Sequence, residues 1–211
     1  IDYRHKMEFG YKDYDLIDQY CREKPLKWSM SVWDLDSLEF SLKYDLPFIK
    51  IPSAMLTNSE LLKASSQNGI PIIISTGMST LKEIDLAVNL LEKYAKSYAL
   101  MHCNSSYPAK HSELNLNVIP MLKDRYNCIV GYSGHEYDLE PTILAVSLGA
   151  LLIERHITLS HNMWGTDQKA SLEVHAMSIL KKRIEDVDEI LGSKNKKVTD
   201  GEIPIRKKLR G

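Results

Sequence analysis

The sequence has few cysteines and no cysteine pattern, which excludes two kinds of cross-linked protein. Its 211 residues contain Cys21, Cys103 and Cys128, an odd number without Cys-x-x-Cys spacing. Neither a disulfide framework nor a thiolate zinc site is therefore indicated. We expect the protein to work in a reducing compartment.

A strong net charge and long apolar runs are also lacking. The formal net charge is −1 and the lysines are scattered, so no basic surface is available for nucleic acid. No apolar run approaches the roughly 20 residues that a membrane-spanning helix needs, and the start of the chain has no signal-peptide apolar core. We expect a soluble, cytoplasmic protein that binds neither nucleic acid nor a membrane.

Short apolar or β-rich runs recur along the chain at intervals of roughly 20 to 30 residues. They predict six strands, at residues 28–33, 48–51, 70–75, 98–103, 128–132 and 150–156. The segments between them have helical periodicity, with capping boxes at 57–60 and 80–83 and helix stops at Gly69 and Gly192. Alternating strands and helices favour a parallel sheet covered by helices.

Polar residues stand at or just past the carboxyl ends of these strands. They are Lys50, Ser53, Ser75, His102, Ser133, His135 and His156. An open doubly wound sheet would gather its chemistry at one switch point, whereas a barrel spreads it over all strand ends. The pattern favours an α/β fold of the TIM-type (β/α)8 class, here a fragment of about six β/α units without its first two strands.

His135 and His156 are 21 residues apart, which leaves room for one helix and one strand between them. They therefore belong to neighbouring strands, and two imidazoles there can bind one divalent ion. A single histidine at such a position is more often a satisfied hydrogen-bonding group, but the pair favours a metal. Glu154 shares the face of His156 and is either a further ligand or supporting group, or a structural partner of Arg155 or a neighbour.

Hydroxyl groups and one ammonium group surround the same predicted mouth. A serine at a strand end is more often a helix cap than a ligand. Four serine-containing strand ends together with Lys50 instead favour a site for a small phosphorylated acid. These positions are Ser53, Ser75, Ser105 with Ser106, and Ser133.

Six motifs in this order and spacing resemble the sialic acid synthase family. They are FIKIPSAMLTN, ISTGMST, HCNSSYP, GYSGHE, ERHITL and WGTDQKASLE, and the similarity runs from about His5 to Gly192. The resemblance implies an enzyme that condenses phosphoenolpyruvate with N-acetylmannosamine or a related amino sugar to give a nine-carbon ulosonic acid and phosphate. It also implies a homodimer.

The resemblance implies roles for individual residues. His135 and His156 would bind Mn²⁺ or Mg²⁺, and Lys50, Tyr107 and Asp167 would be catalytic, with Tyr107 and Asp167 at the sugar. The residues implied to bind phosphoenolpyruvate are Ser31, Lys50, Ser53, Ser75, Ser105 and Ser133. Many members carry an acid/base carboxylate where this chain has Met55, and neither Asn58 nor Glu60 matches that position.

The same resemblance predicts the organisation of the chain. Residues 1–192 would form the barrel without its first two strands, and residues 193–211 would be a linker toward a missing antifreeze-like (SAF) domain. Alternatives are a catalytically silent sugar-binding barrel, which Met55 favours, and another phosphoenolpyruvate or pyruvate condensing enzyme, which WGTDQKASLE disfavours.

Overall fold

The structure, a computed structural model, describes residue 6 and residues 8–211; His5 lies outside the described residues. Five strands form one sheet in sequential order, and two further strands form a separate pair. The strands are β1 (Ile49–Ile51), β2 (Ile72–Ser75), β3 (Tyr98–Cys103), β4 (Ile129–Gly134), β5 (Ile153–Arg155), β6 (Ile157–Thr158) and β7 (Leu172–Glu173).

Helices connect the strands of the larger sheet. The α-helices are α1 (Tyr11–Glu23), α2 (Leu35–Ser41), α3 (Ser59–Ser66), α4 (Leu81–Tyr94), α5 (Val118–Tyr126), α6 (Glu140–Ser147), α7 (Val174–Glu185), α8 (Val187–Leu191) and α9 (Glu202–Arg210). Short 3₁₀ turns cover Ser53–Met55, His111–Glu113 and Gln168–Ala170. None of the helices within residues 8–211 is long and apolar enough to cross a membrane.

Each strand pairing within the described part of the chain is parallel, which confirms the predicted α/β class. Consecutive parallel strands need a crossover, and α3, α4, α5 and α6 supply the four crossovers between β1 and β5. Strands buried on both faces read as continuous apolar runs, as Ile72-Ile73-Ile74 does in β2.

The sheet is strongly curved. In a flat sheet β1 and β5 would lie four strand spacings apart, or about 19 Å. Yet Lys50 Nζ of β1 lies 3.3 Å from Glu154 Oε2 of β5. The sheet therefore curls toward closure as the wall of a barrel does, while the number of β/α units remains a prediction.

Two of the predicted strands differ in the structure. Residues 28–33 form only a parallel bridge at Ser31 with Lys50, because Asp34 caps α2 directly afterwards. The predicted strand 150–156 is interrupted at His156: β5 pairs with β4, whereas β6 pairs with β7. The sequence offered no signal for β7, which is two residues long.

The predicted helix boundaries are partly confirmed. Thr80 and Glu83 form the predicted capping box, in which the Thr80 amide donates to Glu83 Oε2 at 2.7 Å. The box predicted at 57–60 is wrong, because Asn58 is the N-cap and its Oδ1 accepts from the Leu61 amide at 3.1 Å. Gly192 ends α8 with a φ of 55°.

The core lies between the sheet and α3, α4 and α5. Ile49 and Ile51 of β1 are fully buried, and Leu91 of α4 and Leu122 of α5 pack into the same cluster. Burying such a side chain stabilises a protein by about 1.5–3 kcal/mol, so this layer holds the strand ends in place. Residues 193–211 contain α9, and their predicted role as a linker remains a prediction.

Candidate active site

A cavity of about 440 Å³ opens at the carboxyl ends of the strands. All ten residues to which the family resemblance gave a role lie around it, whereas Ser106 lines a neighbouring cavity. They are Ser31, Lys50, Ser53, Ser75, Ser105, Tyr107, Ser133, His135, His156 and Asp167. Active sites of α/β barrels generally lie at this end of the parallel strands.

Lys50 is the cation of the cavity. Its strand is buried, and only 9% of its side chain is exposed, so the ammonium group has little access to bulk water. Lys50 Nζ donates to Ser75 Oγ at 2.7 Å and lies 3.3 Å from Glu154 Oε2. An anion that enters the cavity therefore meets a cation held in a fixed position.

A cluster of small polar groups lies beside Lys50. Ser53 Oγ accepts a hydrogen bond from the Gly77 amide at 3.0 Å and lies 3.2 Å from Cys103 Sγ. Gly77 has no room for a side chain, because a Cβ there would lie 2.8 Å from Ser53 Oγ and would also overlap Ser105 Oγ. The glycine of ISTGMST thus allows these groups to crowd against the backbone.

His135 follows β4 and is held in one orientation. Its Nδ1–H donates to the Asn104 carbonyl oxygen at 2.5 Å, which leaves the lone pair on Nε2. The ring stacks on Tyr107 with centroids 4.2 Å apart, and the Tyr107 hydroxyl lies 3.2 Å from His135 Nε2. Despite the opposing effect of the hydrogen bond to Asn104, burial lowers the pKa of His135, which favours the neutral imidazole.

His156 lies between β5 and β6, next to His135. The two ring centroids are 5.2 Å apart at an interplanar angle of 83°, and Asp167 Oδ2 lies 3.7 Å from His156 Nδ1. No group of three or more His, Cys, Asp and Glu residues arranged for a metal ion occurs within the described chain. The two neighbouring imidazoles are nitrogen donors of the kind that divalent ions bind, and metal binding here remains a prediction.

Glu154 faces the cavity, whereas Arg155 points to the opposite face of the sheet. Glu154 Oε1 accepts from Ser133 Oγ at 2.7 Å, and its other oxygen lies beside Lys50. Arg155 pairs with Glu136 instead, at 3.0 Å. Glu154 therefore forms an ion pair with its neighbour Lys50 and not with Arg155.

His102 is a correction to the predicted rim. Side chains alternate along β3, and because Cys103 faces the cavity, His102 points outward into a separate cavity beside α4 and α5. Its Nε2 lies 2.7 Å from the Leu114 carbonyl oxygen, and burial lowers its pKa. His102 is therefore a satisfied histidine of the outer layer.

The candidate acid/base positions lie outside the cavity lining. Met55 packs against the hydrophobic core, Asn58 caps α3, and Glu60 is exposed. The carboxylates that line the cavity are instead Glu154 and Asp167.

Sequence reasoning assigned no role to some of the residues that line the cavity. They are Trp33, Pro52, Ala54, Met78 and Cys103. Cys103 ends β3 one residue beyond His102, so strand alternation was the signal that could have found it. Met78 has a positive φ of 58°, a backbone feature without a signal in the sequence.

Comparison with known proteins identifies relatives of this chain. The model of the NeuB family matches residues 1–196. The chain belongs to the NeuB family. It is 32% identical over 209 residues to N,N'-diacetyllegionaminic acid synthase of Legionella pneumophila, an alignment that covers 97% of this chain and 59% of that protein. It is 30% identical to N-acetylneuraminate-9-phosphate synthase of Homo sapiens, over 99% of this chain and 58% of that protein.

Solved structures show the same relationship. A crystal structure of N-acetylneuraminic acid (sialic acid) synthetase from Leptospira borgpetersenii serovar Hardjo-bovis in complex with citrate superposes with a TM-score of 0.86 at 31% identity. The match covers 96% of this chain and 72% of that chain. Against its curated NeuB-family relatives the chain is shorter, spanning 59% and 58% of the two proteins named above.

Proposed function

We propose that this chain carries the barrel part of an ulosonic acid synthase. The substrates would be phosphoenolpyruvate and an N-acyl amino sugar, and the products a nine-carbon ulosonic acid and phosphate. One observation carries the proposal: a buried lysine, several serine hydroxyls and two histidines surround a single cavity of about 440 Å³. Relatives with names of this enzyme class support it.

Phosphoenolpyruvate would bind at the side of the cavity that contains Lys50. The ammonium group and the hydroxyls of Ser53, Ser75 and Ser105 are the donors that a phosphate and a carboxylate require. Because Lys50 is almost fully buried, its attraction for an anion is weakly screened by water. Glu154 beside Lys50 restrains the lysine and reduces the net positive charge of the empty cavity.

The sugar would bind near Tyr107 and Asp167. Both line the cavity beside the two histidines, and 45% of the Tyr107 residue remains exposed to an incoming ligand. His135 and His156 would hold Mn²⁺ or Mg²⁺. Such an ion supplies Lewis acid polarisation of the aldehyde of the open-chain sugar.

The reaction would form one carbon–carbon bond, form one carbon–oxygen bond from water and break the carbon–oxygen bond to phosphate. The third carbon of phosphoenolpyruvate attacks the aldehyde carbon, the aldehyde oxygen takes a proton, and water adds to the second carbon. Phosphate then leaves with its bridging oxygen, which balances the addition of water. Lys50 and the serines would hold the phosphate throughout, and the cavity walls would align the two carbons for attack.

The test is release of phosphate by the intact gene product. Phosphoenolpyruvate, Mn²⁺ and either N-acetylmannosamine or a diacetamido-trideoxyhexose are supplied together, and then with each component omitted. We expect phosphate only when all three are present, together with a new 2-keto acid whose mass equals that of phosphoenolpyruvate, the sugar and water less phosphate. Phosphate release without sugar, or none with any N-acyl amino sugar, would refute the proposal.

A further inference from the structure

A buried ion pair lies directly behind the two histidines, on the other face of the sheet. Arg155 Nη1 lies 3.0 Å from Glu136 Oε1, and the two side chains are 1% and 0% exposed. Neither residue lines the cavity. Removing two charges from water costs several kcal/mol per ion, so a buried pair is weak support for stability alone and invites another explanation.

The arginine holds the backbone that follows β4. Arg155 Nη2 donates to the Glu136 carbonyl oxygen, and Nη1 donates to the Asp138 carbonyl oxygen at 3.2 Å. Arg155 Nη1 also donates to Thr142 Oγ1 at 2.9 Å, at the start of α6. A single planar guanidinium group therefore ties β5 to the segment that begins at His135.

Glu136 is held from the other side. The Tyr132 hydroxyl donates to Glu136 Oε2 at 2.8 Å, so strand β4 and the residue after His135 are joined. The packing is tight at Gly134, where a Cβ would lie 2.8 Å from Glu136 Oε1 and 2.9 Å from Arg155 Cδ. Any side chain at Gly134 would push the ion pair out of place.

Strand register connects this pair to the histidines. Gly134 and Arg155 are direct partners in the β4–β5 ladder, and each precedes one of the histidines. Because side chains alternate, Arg155 points outward while His135 and His156 point into the cavity. A shift of the ion pair would therefore change the separation of the two imidazoles.

We propose that Arg155 and Glu136 are positioning residues that set the spacing of His135 and His156, and through it the affinity of the cavity for a divalent cation. The inference rests on the proposed function, since it assumes that the two histidines bind Mn²⁺ or Mg²⁺. The buried ion pair would thus act on the site through the backbone, since neither residue lines the cavity.

The experiment measures Mn²⁺ binding directly, by electron paramagnetic resonance of free Mn²⁺, in the intact gene product. Arg155→Lys keeps the charge but loses the planar group that reaches two carbonyl oxygens. We expect the dissociation constant for Mn²⁺ to rise by about 10-fold, the lower end of the effect of changing groups hydrogen-bonded to metal ligands, because the ion pair acts through the backbone. The Michaelis constant for phosphoenolpyruvate at saturating Mn²⁺ should change far less, because the partners of Lys50 are Ser75 and Glu154 rather than Arg155 or Glu136.

Two controls separate positioning from general damage. Arg125→Lys makes the same change in the exposed ion pair with Asp85, whose two hydrogen bonds measure 2.9 and 2.7 Å, and should leave Mn²⁺ affinity unaltered. Leu122→Ala lowers stability through the core, as thermal unfolding will show, and should also leave Mn²⁺ affinity unaltered. If Arg155→Lys does not fold, Glu136→Gln tests the same pair while keeping the shape of the side chain.

Each outcome has one meaning. Weaker Mn²⁺ binding in Arg155→Lys or Glu136→Gln, but in neither control, supports the inference. Unchanged Mn²⁺ affinity in a folded variant, or an equal loss in Leu122→Ala, overturns it while leaving the proposed function intact. Absence of Mn²⁺ binding in the unaltered protein overturns both the metal part of the proposed function and this inference.

Discussion

Replacement of Lys50 is the most direct test of the anion site. The side chain is 9% exposed and its ammonium group is fixed by Ser75 and Glu154. Removing one partner of a desolvated, hydrogen-bonded charge pair costs about 2–4 kcal/mol. Since 1.4 kcal/mol is tenfold in affinity, Lys50→Ala should raise the Michaelis constant for phosphoenolpyruvate by roughly 30- to 700-fold.

Because of the Glu154 carboxylate, we expect the rise in the Michaelis constant for phosphoenolpyruvate to lie in the upper part of this range. Without Lys50, Glu154 stays in the cavity as an uncompensated negative charge facing an anionic substrate. Lys50→Met should therefore bind phosphoenolpyruvate poorly, and the double variant Lys50→Met with Glu154→Gln should recover part of the loss. Such a recovery would measure the repulsion by Glu154.

Steady-state kinetics of phosphate release, with each substrate varied at saturating Mn²⁺, provide the assay. The Michaelis constant for the sugar should change far less than that for phosphoenolpyruvate. Lys63→Met removes a lysine that lies over the ring of Tyr94 and is the matched control. Unchanged affinity for phosphoenolpyruvate in Lys50→Ala would show that the anion site is misplaced.

Three further predictions address the metal pair, the crowded glycine and a helix cap. Ala at either His135 or His156 should abolish Mn²⁺-dependent turnover, and the double variant should cost little more than one; full activity of a single variant after chelation and return of Mn²⁺ would contradict this. Gly77→Ala should destabilise the protein by about 1–3 kcal/mol in urea unfolding, because its Cβ overlaps two serine hydroxyls and a thiol; equal midpoints would contradict the packing. Hydrogen bonds from the Thr80 amide and hydroxyl lower the pKa of Glu83, so its stabilising effect is present above the pKa of the unfolded chain and is lost as pH falls through the folded value. The difference in free energy of unfolding between the unaltered protein and Glu83→Gln should therefore shrink from pH 7 to pH 3, and a constant difference would contradict it.

The residues predicted to form the site lie together, while their roles remain predictions; two of the predicted strands needed correction. All ten residues to which the family resemblance gave a role line one cavity, because parallel strands bring their carboxyl ends together whatever their lengths. The strand at residues 28–33 was overestimated, since this segment forms only a bridge with β1 before Asp34 caps α2. The prediction for His102 failed for a related reason: its position in the sequence shows that it is near a strand end, but not which face of the sheet it occupies.

The sequence predicts a hydrogen bond well where its donor and acceptor are close neighbours along the chain. The capping box of Thr80 and Glu83 needs only the first turn of α4, so the sequence predicts it directly. At residues 57–60 two cap residues compete, and the backbone φ of −81° and ψ of 89° at Asn58 selects that residue. Which residue caps α3 depends on the backbone conformation that follows the 3₁₀ turn Ser53–Met55.

By itself the sequence determined the alternation of strands and helices, the family, and which polar residues stand at strand ends, because these depend on residue order and on short-range periodicity. The tertiary structure alone decided which face each side chain occupies and which distant groups meet. Lys50 and Glu154 are 3.3 Å apart only because the sheet curls, and Arg155 meets Glu136 only because β4 and β5 pair in one register. Curvature and register arise from the packing of the whole sheet against its helices, and no local segment of the chain specifies them.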